Sequence, residues 1–382
     1  MISLFQLPDR YRKLQGEALE LAAAVAPLAA EADASERVHP GVREALVESG
    51  LCSLTVPGEL GGRFAGVDPV AVCVAREAFM PVSAHLDALF SLQGIGSYAI
   101  AVRGTESQRQ EWLPRVGRGE ALAALALTEP EIGSDLRNVS SEIVAAGDRL
   151  VLNGRKSYIS NAGAADLYTV FAREGEGFSL VLVPADAAGL TATPGQPLSP
   201  PHVVGELAFD DLALPAEARI GAPGQGFELV LATLGVFRVT VAAAAVGIAA
   251  AALREALDHT TSRTQFGKPL ARLGAVSAML ADTWTEVEMC RLLTYRAAEV
   301  ARDHPGETLH YSSMAKVAAS EAACRATDRA IQMLGRFGVV DSSKVQHLHR
   351  EARPLRIVEG SSEVLRLGIA KALVVDHLEG RQ

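Results

Sequence analysis

The sequence predicts an α+β fold that is mostly helical. It has an N-terminal helical domain over residues 1–121, a middle antiparallel β sandwich or barrel over 122–225, and a C-terminal four-helix bundle over 226–382. Three observations predict it. Apolar residues recur at helical spacing through the first third of the chain. After about residue 120 the pattern changes to short β-branched runs divided by Gly, Pro and Asp. From about residue 226 long helical periods return with short joints, which implies an antiparallel bundle. A chain of 382 residues also exceeds what one core usually holds.

Taken in order, "YRKLQGEALELAAAVAPLAAEA" sets apolar residues at helical spacing with charges between them. "PGVREALVESG" reads as a short helix stopped by Gly50. "DPVAVCVAREAFM" and "TESQRQEWLPRVGRG" are further helices, the second opened by a capping box of Thr105 and Gln108. "SSEIVAAGDRLVLNGRKSYIS" reads as two strands around a Gly-Asp turn. "DLYTVFAR", "FSLVLVP" and "GELAFDDLAL" are strand-like, and a strand also ends in "LTEP". "FELVLATLGVFRVTVAAAAVGIAAAALREALDHTTSR" is one long helix. A second bundle helix carries Val276, Leu280, Trp284, Val287 and Arg291 along one face, and a third runs through "YSSMAKVAASEAACRATDRAIQMLG".

Composition narrows the function classes. Hydrophobic residues make up 49% and charged residues 21%, which suits a globular protein. A net charge of -9, from 36 basic and 45 acidic residues, argues against nucleic acid or an anionic membrane as partner. Cys52, Cys73, Cys290 and Cys324 lack C-x-x-C spacing and read as buried thiols in a reducing compartment. The opening "MISLFQLPDRYRK" meets Pro, Asp and basic residues too early for a signal peptide. "VAAAAVGIAAAAL" is too short and Ala-rich to span a bilayer and reads as a buried helix, so a soluble, cytoplasmic protein is expected. No metal site stands out: His347 and His349, at i, i+2, are split across a helix and read as exposed or capping.

One stretch resists a purely structural account. In "RIVEGSSEVLR", Ser361 and Ser362 are N-cap types and Glu363 belongs in the first helical turn. Glu359 lies on the wrong side of that cap, after Ile357 and Val358 and before Gly360.

The ordered motifs "VPGELGG" (56–62), "ALTEPEIGSD" (126–135), "KSYISNAGAAD" (156–166), "RTQFGKPL" (263–270), "QMLGRFG" (332–338) and "REARPLRIVEGSSE" (350–363) resemble the acyl-CoA dehydrogenase flavoprotein family over nearly the whole chain. The resemblance implies FAD as cofactor and α,β-desaturation of an acyl thioester, carried on CoA or on an acyl carrier protein. A base takes the α proton, and the β hydrogen leaves as hydride to flavin N5. The carbonyl must be polarised by hydrogen bonds that strengthen as the enolate forms, and the base needs a raised pKa. By this resemblance Glu359 is the base, its own N–H helps hold the thioester oxygen, Ile357 and Val358 desolvate it, and Gly360 gives backbone clearance.

Some relatives carry the base on a helix, just before an arginine that resembles Arg238; here that position is Phe237, which cannot accept a proton. Phe237 and Arg238 are then substrate-pocket residues, with a snorkelling or salt-bridged Arg238 as the plain alternative. Leu127, Thr128, Tyr158, Ile159 and Ser160 are implied to bind the isoalloxazine ring, Ser160 near N5, and Ser134 the flavin or the pantetheine arm. Tyr158 and Ser160 replace the Trp and Thr of most relatives. Arg263 is implied for the pyrophosphate and Phe266 for the adenosine end. Gln332 and Gly335 resemble the site that receives FAD from an opposing subunit, and Ser361 and Glu363 touch the cofactor at a helix start. The chain departs from the family pattern at Arg336, Gly274, Val358 and His349.

An electron-transfer flavoprotein is the implied electron acceptor, and a homotetramer or homodimer the implied assembly. Two other readings stay open: a flavin oxidase or monooxygenase on the same scaffold, which has no need of an α-proton base, and a non-enzymatic flavin-binding protein.

Overall fold

The first helices are α1 (Asp9–Val25), α2 (Ala29–Asp33), α3 (Pro40–Ser49), α4 (Pro69–Phe79), α5 (Ala84–Arg103) and α6 (Glu106–Gly117). Strands follow: β1 (Ala123–Ala126), β2 (Glu142–Ala146), β3 (Arg149–Ser160), β4 (Leu167–Glu174), β5 (Gly177–Pro184), β6 (Leu190–Pro194), β7 (Val204–Pro215) and β8 (Arg219–Ile220). The chain returns to helices in α7 (Gly226–Ser262), α8 (Gly274–Asp303), α9 (Leu309–Leu334), α10 (Lys344–Ala352) and α11 (Ser362–Leu378), with a small hairpin of β9 (Thr264–Gln265) and β10 (Lys268–Pro269) after α7. This computed structural model describes residues 7–200, 202–305 and 309–380; Met1–Gln6, on which part of the signal-peptide reading rests, lie outside them.

The local signals in the sequence reappear as geometry. Thr105 and Gln108 close a reciprocal capping box on α6. Gly50 ends α3 at φ 67°. Gly147, at φ 66°, turns β2 back onto β3.

The chain divides into two compact units. One spans Glu20–Asp68 and Ser83–Phe237 and holds the sheet, in the order β6-β7-β3-β2-β4-β5-β8. Its core is built from inward residues such as Leu152, Ile159, Tyr168, Val170, Val181 and Phe209. The sheet is mixed and not purely antiparallel, because β1 pairs with β4 in parallel, Ala123 opposite Leu167. The physical reason is the intervening β2–β3 hairpin: no tight turn joins β1 to β4, so a parallel pairing is free to form.

Helix α5 carries no amphipathic signal in the sequence. It has buried residues all around its circumference, so no polar face marks its period, and it carries two glycines. Gly94 and Gly96 are needed there. A Cβ at Gly94 would stand 2.3 Å from the Phe237 ring, and one at Gly96 would stand 2.6 Å from the Ala124 backbone nitrogen.

The other unit holds the residues up to Leu19, Pro69–Val82 and the chain from Arg238 onward. In it α8 packs on α9 and on α4, and α9 packs on α10 and α11. The buried face of α8 runs through Thr283, Val287, Cys290 and Thr294, whereas Trp284 is 53% exposed. Trp284 therefore does not share a core face with Val287; the inward stripe lies one residue to the side. His347 and His349 are half-buried and not exposed: burial pushes the His347 imidazole down to about 4, and His349 Nδ1 lies 3.1 Å from the Thr327 hydroxyl. The apolar helix α7 is long enough to cross a membrane, but 89% of its most apolar window is buried within the protein.

Candidate active site

The turn that carries Glu359 is built by its own backbone. The N–H groups of Ile357 and Val358 both donate to the Pro354 carbonyl, at 2.8 and 2.9 Å. The chain then enters the left-handed region at Glu359 (φ 52°) and stays at positive φ at Gly360 (φ 102°). Ser361 caps α11 by accepting from the Val364 N–H, which puts Glu363 in the first turn. An L residue held in the left-handed conformation costs roughly 1–2 kcal/mol, so Glu359 requires support from outside its own segment.

That support is cationic. Arg238 Nε donates to the Glu359 carbonyl at 2.9 Å, and its Nη1 donates to the Ser313 hydroxyl at 3.1 Å. Lys316 Nζ donates to the Gly360 carbonyl at 2.7 Å. Hydrogen bonds from charged donors contribute about 1.5–3 kcal/mol each, enough to offset the strained φ. Both cations are buried, and burial lowers the pKa of each; attraction to Glu359 opposes this, and Lys316 ends at about 8. Arg238 is thus neither snorkelling nor salt-bridged among the described residues. The apolar neighbours behave differently from expectation: Ile357 is 57% and Val358 44% exposed, so they form an open rim and do not bury Glu359.

In the sheet-bearing unit, the segment after β1 is tied to β3. Lys156 Nζ donates to the Leu127 carbonyl at 2.9 Å, and the Ser157 N–H donates to the Thr128 carbonyl at 2.9 Å. Lys156 and Glu129 form a buried ion pair at 2.9 Å. Burial alone pushes the Glu129 carboxyl up. Hydrogen bonds from Ser140 and Ser141 and the Lys156 charge more than reverse this and hold it at about 2. The Thr128 hydroxyl makes no hydrogen bond among the described residues.

Next to this segment, β3 shifts register against β7 between Lys156 and Ile159. This bulge turns Tyr158 outward at φ 56°, where it is 61% exposed, while Ile159 is buried. The Ser157 hydroxyl is buried without a hydrogen-bond partner among the described residues, and Ser157 and Tyr158 line a cavity of about 200 Å³ with Pro130, Gly195, Gln196, Val204 and Glu206. The Ser160 hydroxyl lies 2.7 Å from His202 Nε2. Ser134 is exposed on its loop and Phe237 is fully buried, edge-on to Tyr98.

The segments "RTQFGKPL" and "QMLGRFG" meet within the helical unit. The Arg263 guanidinium lies 5.1 Å over the Phe337 ring, which Arg336 also approaches at 4.9 Å. Phe266 and Gly267 form the two-residue loop between β9 and β10, both at positive φ (53° and 74°). Glycine suits such a loop; phenylalanine does not. Phe266 is nonetheless 89% exposed there, so no internal packing explains its conformation. Gln332 is exposed, and Gly335 is exposed at φ 59°.

These features fit a flavin dinucleotide. A protruding tyrosine at a bulge and an unpartnered buried hydroxyl beside it suit a planar polar ring. A guanidinium stacked on an aromatic face, beside an exposed phenylalanine, suits a pyrophosphate and an adenine. Lys156, Glu129, Lys316 and His202 were not singled out from the sequence. Two of them left a signal: Lys316 interrupts a stripe of small residues at helical spacing on α9, and Lys156 stands where β3 alternation calls for an apolar side chain.

Comparison with known proteins bears on the same residues. Family models for the acyl-CoA dehydrogenase N-terminal, middle and C-terminal domains match residues 8–120, 124–212 and 224–374. The probable acyl-CoA dehydrogenase FadE25 of Mycobacterium tuberculosis is 34% identical over 97% of this chain and 97% of its own length. The butyryl-CoA dehydrogenase of Megasphaera elsdenii superposes with a TM-score of 0.92 at 30% identity, over 97% of this chain and 99% of that one. A glutaryl-CoA dehydrogenase of Mycobacterium smegmatis, solved in complex with FADH2, has a TM-score of 0.90 at 26% identity, over 96% and 95%. With all three of its domains matched in order, the chain belongs to the acyl-CoA dehydrogenase family.

Proposed function

We propose that this chain is an FAD-dependent enzyme that desaturates an acyl-CoA between Cα and Cβ, with Glu359 as the base. Bound FAD supplies the hydride acceptor for the Cβ hydrogen. The Glu359 carboxylate takes the proton from Cα, and the Glu359 N–H donates to the thioester oxygen as negative charge builds there. The observation that carries this reading is the strained Glu359–Gly360 turn, gripped through its carbonyls by two buried cations. Strain of this kind collects at functional sites. Ile357 and Val358 are exposed, but the Glu359 Oε2 atom is itself buried, which suits a base whose pKa must rise.

The same reading gives the other residues their work. Leu127, Thr128, Tyr158, Ile159 and Ser160 hold the isoalloxazine, and Ser134 the flavin or the pantetheine arm. Arg263 and Phe266 hold the pyrophosphate and adenosine, Gln332 and Gly335 receive the cofactor of a second subunit, and Ser361 and Glu363 meet it at the start of α11. Phe237, Arg238 and Gly360 shape the acyl site. The proposed division is an N-terminal helical domain over residues 1–121, a β domain over 122–225 and a C-terminal helical bundle over 226–382. An acyl carrier protein thioester is the alternative carrier, an electron-transfer flavoprotein the electron acceptor, the cytoplasm the compartment, and a homotetramer or homodimer the assembly.

The test is anaerobic flavin bleaching by straight, branched, cyclic and aromatic acyl-CoAs and by acyl carrier protein thioesters. Bleaching by one class is expected. A flavin that none of them bleaches, or one that releases peroxide stoichiometrically with turnover in air, would sink the reading.

A further inference from the structure

Lys316 is fully buried on α9, among Ser312, Ser313, Ala319, Ser320 and Ala323. A buried ammonium carries a heavy desolvation cost unless its charge is matched. Among the described residues Lys316 forms no ion pair, and its hydrogen bond is to the Gly360 carbonyl, at 2.7 Å. Arg238 reaches the preceding carbonyl, that of Glu359, and is itself steadied by Ser313, three residues before Lys316 on the same helix. Two helices thus each commit a buried cation to two consecutive carbonyls. Both of those residues have positive φ.

We propose that Lys316 is a positioning residue for the base: its ammonium on the Gly360 carbonyl, together with Arg238 on the Glu359 carbonyl, locks the left-handed turn and so fixes where the Glu359 carboxyl and N–H stand when a thioester binds. This rests on the reading of Glu359 as the base. A methionine fills nearly the same volume but donates nothing, so it leaves the part-buried Gly360 carbonyl without this donor and frees the turn to relax. Relaxation by about 1 Å costs on the order of 100-fold in a proton transfer that depends on alignment. Lys316 does not touch the reacting atoms, and its loss is expected in kcat and not in KM.

The test compares Lys316→Met and Lys316→Arg by amide hydrogen exchange and by anaerobic flavin bleaching, with FAD content and Tm measured alongside. For Lys316→Met, exchange about 10-fold faster and confined to residues 355–362 is expected. Its bleaching rate should fall about 100-fold with KM within about threefold, FAD content should be kept, and Lys316→Arg should recover most of the loss. Exchange unchanged in 355–362 overturns the proposal, as does a bleaching rate within about threefold of wild type. Should Lys316→Met fail to fold, Lys316→Leu, which also donates nothing, is read in its place against the same limits. The exchange measurement uses no substrate, so it decides the clamp by itself; a wild-type chain that no acyl-CoA bleaches overturns the function reading alone.

Discussion

Glu359 combines an acid with a left-handed backbone, and each property can be probed separately. Glu359→Gln keeps the shape and the carbonyl contacts to Arg238 but removes the proton acceptor. We expect it to retain FAD and Tm and to lose desaturation by at least about 100-fold. Turnover near wild type would place the base elsewhere. Glu359 was legible in the sequence because it stood outside the helix cap that explained its neighbour Glu363. Lys316 was not, because its partner is a backbone carbonyl 44 residues away, and carbonyls leave no trace in sequence. His202 was hidden for a related reason, since its contact with Ser160 joins the segment before β7 to the end of β3, which meet only in the fold.

At the scale of elements, the link between the end of β1 and the middle of β3 rests on Glu129 and Lys156. The Glu129 carboxyl is held near 2, below its ordinary 4.5, so the folded state binds its proton more weakly than the unfolded state. The ionised Glu129 carboxylate, held chiefly by Ser140 and Ser141 and then by Lys156, therefore contributes stability that is present above about pH 4.5 and is lost as pH falls towards 2. Glu129→Gln should flatten the fall of Tm with acid across that window; an unchanged acid limb would show that other carboxylates carry it. Lys156→Met leaves Glu129 buried without its counter-charge, and should cost about 3–5 kcal/mol by denaturant unfolding at pH 7. The strands themselves were legible from alternation and the Gly147 turn. The bulge at Tyr158 was not, because nothing in "KSYIS" marks where an extra residue is inserted. Helix α5 escaped because periodicity finds a helix only when one face meets water.

At the scale of the molecule, the helical unit exposes much apolar surface. Trp284, Met289 and Leu292 on α8 and Leu367, Leu373, Val374 and Leu378 on α11 are all at least half exposed. Exposed apolar side chains in this number lead us to propose that α8 and α11 meet another chain. A mass of about four times 40.2 kDa by light scattering is expected, falling for Leu367→Glu combined with Trp284→Glu. A 40.2 kDa wild-type species at micromolar concentration would contradict it. The helical, then β, then helical order was legible because it needs only the change of period along the chain. The parallel pairing of β1 with β4 was not, because it depends on which strands a hairpin leaves free.

Gly94 and Phe237 have a consequence for the history open to this sequence. With the Phe237 ring 2.3 Å from where a Cβ would stand, any side chain at position 94 forces the ring to shift and is penalised while the ring is present. Drift at the two positions therefore favours an order, position 237 shrinking before position 94 grows. Gly94→Ala alone should destabilise by about 1–3 kcal/mol, and it should cost much less in a Phe237→Ala background. Equal penalties in the two backgrounds would mean that the two positions change independently.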